Sequence, residues 1–139
     1  NTELTIIGSG PQQELLINLI KEYGLENNTT LLGYIPNENL PEYLLSSDIF
    51  VSPLTGCSFR EAAFCGLPIV AYNLDWIKGF LTHKVNFYGV EKSDCKQLAQ
   101  GIIEVYESEK LREKLSVNIT KFAKDNWSES ALDLNYNLT

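Results

Sequence analysis

Three features of the sequence predict an α/β fold of Rossmann type, a parallel sheet flanked by helices. Five β-rich segments, at residues 4–7, 29–32, 49–51, 69–72 and 86–89, alternate with segments of helical periodicity, the order that builds parallel strands through crossover helices. Ile69-Val70-Ala71-Tyr72 is apolar throughout rather than alternating, which suits a strand covered on both faces. Residues 52–72 also read as one complete unit of strand end, loop, helix, turn and strand.

Leu4-Thr5-Ile6-Ile7 is β-branched and apolar, and Gly8-Ser9-Gly10-Pro11 follows as a turn with proline near a helix start. In residues 12–23, Leu15, Leu16, Leu19, Ile20 and Tyr23 recur at helical spacing, which predicts one face buried against a sheet, with Gly24 closing the helix. The Gly-x-Gly is weak evidence for a dinucleotide site, because the third glycine and the later acidic residue of that fingerprint are not apparent. A strand over 29–32 ends at Gly33-Tyr34-Ile35-Pro36. A helix over 37–47 turns Leu40, Tyr43 and Leu44 inward, with Pro41 in its first turn, where proline is tolerated.

The apolar run 49–51 stops at Ser52-Pro53, since proline has no N–H for the ladder. Thr55-Gly56 makes a turn. Ser58 is the expected N-cap of the next helix, with Glu61 three residues on completing a capping box. Gly66 and Pro68 end that helix before the strand 69–72. The helix start thus lies at the carboxyl end of a strand, where open α/β sheets bind ligands, and its free N–H groups suit a phosphate. The alternative is a purely structural capping turn. Asn73-Leu74-Asp75-Trp76-Ile77 reads as a loop leading to a short helix through Leu81; Asp75 and Trp76 read as a surface acid and a packed aromatic, or as a border of a pocket. His83, the one histidine, sits in a turn sequence and is not expected to act as a base. Helices follow from Ser93-Asp94 through Tyr106 and over 110–125, and Trp127 is expected to open a terminal helix through Leu138.

The chain has 139 residues, enough to bury about two thirds of its unfolded surface as one domain. A hydrophobic content of 44% and mean hydropathy of -0.12 describe an ordinary globular chain. A net charge of -7 argues against a nucleic-acid partner. No apolar run is long enough to span a bilayer, and no signal peptide opens the sequence. Cys57, Cys65 and Cys95 lack metal-type spacing and fit a reduced cytoplasm; Cys57, near a helix start, is either a reactive thiol or a small residue in a tight loop. The chain begins with Asn and has no Met, which predicts a fragment of a longer, two-domain protein.

Ser52-Pro53, Glu61-Ala62 and Gly66-Leu67-Pro68-Ile69-Val70-Ala71 together resemble the nucleotide-sugar signature of GT-B glycosyltransferases, in particular family 4 (group 1), and specifically its C-terminal domain. The resemblance covers nearly the whole chain and is most specific over residues 52–72. It implies that Glu61 anchors the donor ribose, that the backbone of Thr55, Gly56, Cys57 and Ser58 receives the diphosphate, and that Tyr34 and Ile35 flank the nucleobase; Tyr34 reads equally as a half-buried loop aromatic. The family's first glutamate would fall near Pro53 and is absent, as is its later loop glutamate, replaced by Gly79. The strand and helix that open the family's C-terminal domain, with their basic residues, and its acceptor-binding N-terminal domain precede the first residue here.

The activity so implied is retaining transfer of a sugar from a UDP- or GDP-sugar to the hydroxyl of a sugar or lipid-linked acceptor, without a metal or other cofactor. Turnover is expected only together with the N-terminal domain. The implied location is the cytoplasm, with the inner face of the membrane as the peripheral variant. Rival readings are a GT-B nucleotide-sugar epimerase and a non-catalytic nucleotide-binding or interaction module, the latter drawing on the absent first glutamate.

Overall fold

The computed structural model describes residues 2–54, 56–74 and 76–128 and is α/β with parallel strands, as the alternation predicts. Thr55, Asp75 and most of the anticipated terminal helix, residues 129–139, lie outside the described residues. The chain divides into two compact units, with the boundary between Leu40 and Pro41.

In the first unit β1 (Leu4–Ile7) pairs in parallel with β2 (Thr29–Gly33), the register shifting between Ile6 and Ile7. The crossover is α1 (Gln13–Glu22), closed by Gly24 in the left-handed region at φ 63°. The apolar spacing of α1 predicts a buried face, yet no residue of the helix is buried and Leu15, Leu19 and Tyr23 are exposed. Two strands present too narrow a surface to cover a helix. A 3₁₀ turn at Asn37–Asn39 then leads into α2 (Leu40–Leu45), so the helix expected over 37–47 is shorter and tighter at its start.

The second unit holds the core. Its sheet is β3 (Phe50–Ser52), β4 (Ile69–Tyr72) and β5 (Tyr88–Val90), all parallel with β4 in the centre. Ile69, Val70 and Ala71 are fully buried, as a continuous apolar strand requires. Between β3 and β4 runs α3 (Cys57–Phe64), which buries Phe59, Ala62 and Ala63. Helix α4 (Cys95–Glu107) is capped by Asp94, whose carboxylate accepts from the Gln97 N–H at 2.9 Å. Helix α5 (Glu109–Trp127) is capped by Ser108 and buries Leu115, Ile119 and Ala123. Trp127 is therefore the last residue of α5, and the helix expected to begin there is not seen among the described residues. Its ring packs on Phe122, Phe59 and Arg60 instead.

The short helix expected to run through Leu81 is also absent. The segment folds as successive turns, with Ile77 and Lys78 N–H donating to Leu74 O and Phe80 N–H to Ile77 O. Gly79 stands at φ 91°, outside the helical region.

Candidate functional site

Of the described residues expected to bind a ligand, four, Gly56, Cys57, Ser58 and Glu61, lie in the second unit around the β3–α3 turn. Ser52 ends β3 buried, its hydroxyl donating to Leu54 O at 3.0 Å and folding the chain back on itself. Gly56 is extended (φ -134°, ψ -158°) and is the N-cap of α3, which begins at Cys57. The anticipated capping box is thus corrected: Ser58 is already inside the first turn, and no side chain caps the helix. The helix starts two residues earlier than the Ser-x-x-Glu spacing suggests, with Gly56 in ordinary extended backbone as its entry. Phe59 N–H bonds Gly56 O at 3.1 Å. The leading N–H groups of α3, those of Cys57 and Ser58, have no intrahelical acceptor by the geometry of any α-helix.

Ser58 and Glu61, three residues apart on α3, share one half-buried edge of the helix. The Glu61 carboxylate has no hydrogen-bond partner among the described residues. It is close enough to Cys65, one turn on, to add to the effect of burial in pushing that thiol's pKa up, so Cys65 is held as an inert thiol. Cys57 is exposed at the helix start. Thr55 lies outside the described residues. Tyr34, expected to be half-buried or to flank a base, is 75% exposed, and Ile35 is half-buried; both belong to the first unit.

Helix α3 is anchored at both ends. Phe59, fully buried in its first turn, meets the rings of Trp76 and Trp127 edge-on, with centroids at 5.9 and 6.2 Å. At its far end Gly66 N–H donates to Ala63 O and Leu67 N–H to Ala62 O, the paired bonds of a Schellman cap, with Gly66 at φ 77°. Ser116 of α5 donates its hydroxyl to the Gly66 carbonyl. The apolar spacing of the sequence could not reveal this clamp, since Trp76 and Trp127 are remote from Phe59 along the chain.

A second polar cluster escaped the sequence reading. Glu104 on α4 accepts from Lys84 Nζ and from the Tyr88 hydroxyl, each at 2.5 Å. The Lys84 and Tyr88 bonds hold the Glu104 pKa down. Burial, reinforced by Glu104, pushes Tyr88 up to about 12. His83 stacks edge-on against Tyr88 at 4.7 Å, and its Nδ1 accepts from the Gly89 N–H at 3.2 Å. Burial and the neighbouring Lys84 cation lower its pKa. The imidazole therefore serves as a neutral acceptor that secures the start of β5. Among the described residues no cluster of His, Cys, Asp or Glu could hold a metal ion, and no helix is long and apolar enough to cross a membrane.

Similar proteins agree with this architecture. A family model described as glycosyl transferases group 1 matches residues 1–122. The chain is 30% identical over 125 residues to the poly(glycerol-phosphate) alpha-glucosyltransferase of Bacillus subtilis, and 29% identical over 137 residues to the lipopolysaccharide core biosynthesis glycosyltransferase LpsD of Rhizobium meliloti. Those alignments take in 88% and 95% of this chain but only 19% and 39% of the two relatives. Among solved structures, S. aureus TarM, crystallised as a variant with fondaparinux, alpha-GlcNAc-glycerol and UDP, superposes with a TM-score of 0.85 at 23% identity, over 98% of this chain and 28% of that one. Anabaena HepE in complex with UDP-glucose gives 0.84 at 22% identity, over 98% and 40%. At these identities the structures establish the fold, that of GT-B C-terminal domains. The match of the family model over most of the sequence, on a fold with this β3–α3–β4 unit at its core, places the chain in the group 1 glycosyltransferase family.

Proposed function

We propose that this chain is the donor-binding part of a retaining family 4 glycosyltransferase that takes a sugar from a UDP- or GDP-sugar and passes it to an acceptor hydroxyl. The observation that carries the reading is the α3 start at the carboxyl end of β3, with the Glu61 carboxylate, which no hydrogen bond among the described residues engages, one turn further along the helix. The N–H groups of residues 55–58 suit the diphosphate, because a helix N-terminus carries about half a positive charge. Glu61 suits the ribose: a carboxylate accepts from both hydroxyls of a vicinal diol through charge-assisted bonds. Tyr34 and Ile35 are the residues for the base.

Stabilising the departing diphosphate with fixed backbone dipoles needs no metal in this scheme. The acceptor side belongs to an N-terminal domain of the longer protein, and the working location is the cytoplasm or the inner face of the membrane.

Calorimetric titration with UDP, GDP and ADP tests the reading. One nucleotide should bind selectively with a dissociation constant of about 1 mM. Glu61→Ala should weaken it by at least about tenfold, the scale of one charge-assisted hydrogen bond. Unchanged affinity in the variant would remove Glu61 from the site. Nucleotide binding without transfer or hydrolysis in the two-domain protein would favour the non-catalytic module, in keeping with the absence of the family's first glutamate near Pro53.

A further inference from the structure

The loop after β4 carries an aromatic surface that the reading above does not use. Trp76 leaves 40% of its surface in solvent while its ring packs edge-on with Phe59, the interplanar angle being 76°. Phe59 sits in the first turn of α3, so the Trp76 indole packs against that turn through the Phe59 ring. Phe80, further along the same loop, is 66% exposed, and no ring contact among the described residues ties it to α3.

At the root of the loop the Asn73 side-chain oxygen is buried without a hydrogen-bond donor. Native proteins leave few such groups unsatisfied. Asn73 as a residue is only half-buried. A partly exposed indole and an unsatisfied acceptor therefore lie three residues apart on the loop that follows β4, the loop whose Trp76 packs on the first turn of α3. A pyranose has the matching chemistry, with an apolar C–H face and hydroxyl donors at its rim.

We propose that Trp76 is a specificity-determining residue that stacks on the donor's sugar ring, with Asn73 accepting from one of its hydroxyls. The inference rests on the diphosphate lying at the α3 start, since the sugar then hangs from the outer phosphate over the adjoining surface. It concerns the sugar alone and not the nucleotide.

The test compares the chain and its Trp76→Ala, Trp76→Phe and Phe80→Ala variants in calorimetric titrations with UDP and UDP-glucose, and with GDP and GDP-mannose. Circular dichroism confirms that each variant is folded. Trp76→Ala should weaken the nucleotide sugar by about tenfold more than the nucleoside diphosphate, the scale of uncovering one ring face, any shared loss reporting the contact of Trp76 with Phe59. Trp76→Phe should retain most of the affinity, and Phe80→Ala should change neither ligand. Equal weakening of diphosphate and nucleotide sugar, or no change in either, overturns the role of Trp76 while leaving the donor site standing. Failure of the unmodified chain to bind any of the four removes the donor site itself, and the inference with it.

Discussion

Two strand-to-helix turns in this chain are written in similar residues and yet differ in what they support. Gly8-Ser9-Gly10-Pro11 leads from β1 into α1, and Pro53-Leu54-Thr55-Gly56 leads from β3 into α3. Both follow a parallel strand and both carry glycine. Helix α1 nevertheless buries no residue and has no side-chain cap, whereas α3 buries three residues, packs its first turn between two tryptophans and ends in a Schellman cap held by Ser116. A helix start stabilises an anion well only if it does not have to be ordered first. Glycine-bearing turns are therefore common, and the packing behind the helix decides which of them can serve as a site.

The sharpest way to break this contrast is to remove its anchors. Phe59→Ala leaves a cavity among Trp76, Trp127 and the sheet and should cost about 3–5 kcal/mol. Leu15→Ala in α1, where the side chain is 55% exposed, should stay within about 0.5 kcal/mol. Urea unfolding midpoints of the two variants check the difference. Comparable losses would mean that α1 is as firmly held as α3.

Helix ends offer a finer version of the same comparison. Gly66 and Gly24 are both left-handed, at φ 77° and 63°. A methyl added at Gly66 meets the Thr120 and Ser116 hydroxyl oxygens at 3.4 and 3.5 Å, while one at Gly24 meets nothing within 4 Å. Each alanine pays about 1–2 kcal/mol for the left-handed backbone. Both distances at Gly66 are ordinary van der Waals contact, so Gly66→Ala and Gly24→Ala should lose similar amounts, read by thermal unfolding of the pair. A markedly larger loss at Gly66 would show that the Ser116 hydroxyl cannot give way to the methyl.

Much of the second unit was legible because its signals are local or periodic. The apolar run at 69–72, the stops at Pro53 and Pro68, the glycine after α3 and Asp94 before α4 each act over a few residues, and each appears where the sequence sets it. The α1 stripe misled because periodicity reports that a face is apolar, not that a neighbour is wide enough to cover it. Ser58 and Glu61 misled as a capping box because two starts were compatible with the spacing, and Gly56 took the earlier one. The Phe59 clamp and the Lys84, Tyr88 and Glu104 cluster depend on contacts between residues far apart in sequence, which no local pattern encodes. Of the residues proposed for the donor, those near Glu61 are proposed from the sequence and Asn73 from the structure alone, since an unsatisfied oxygen is a property of packing.

The smallest effect, and the one that localises best, is the response to acid. His83 has its pKa lowered from 6.5 by burial and by Lys84, so below pH 6.5 the unfolded chain takes up a proton that the folded chain resists. Stability is then full above pH 6.5 and declines as the pH falls. Glu104, lowered from 4.5 by the Lys84 and Tyr88 bonds, adds a second decline below pH 4.5, for the same reason: the unfolded carboxylate is protonated first. Both groups lie in the second unit, and residues 2–40 contain no histidine. His83→Gln keeps a side-chain oxygen able to accept from the Gly89 N–H but cannot titrate, so unfolding midpoints between pH 7.5 and 5 should lose their slope in this variant while the lower step persists. Hydrogen exchange of the α1 amides should not follow either step. An unaltered slope in His83→Gln would mean that the acid response arises elsewhere and that the histidine bond does not secure β5.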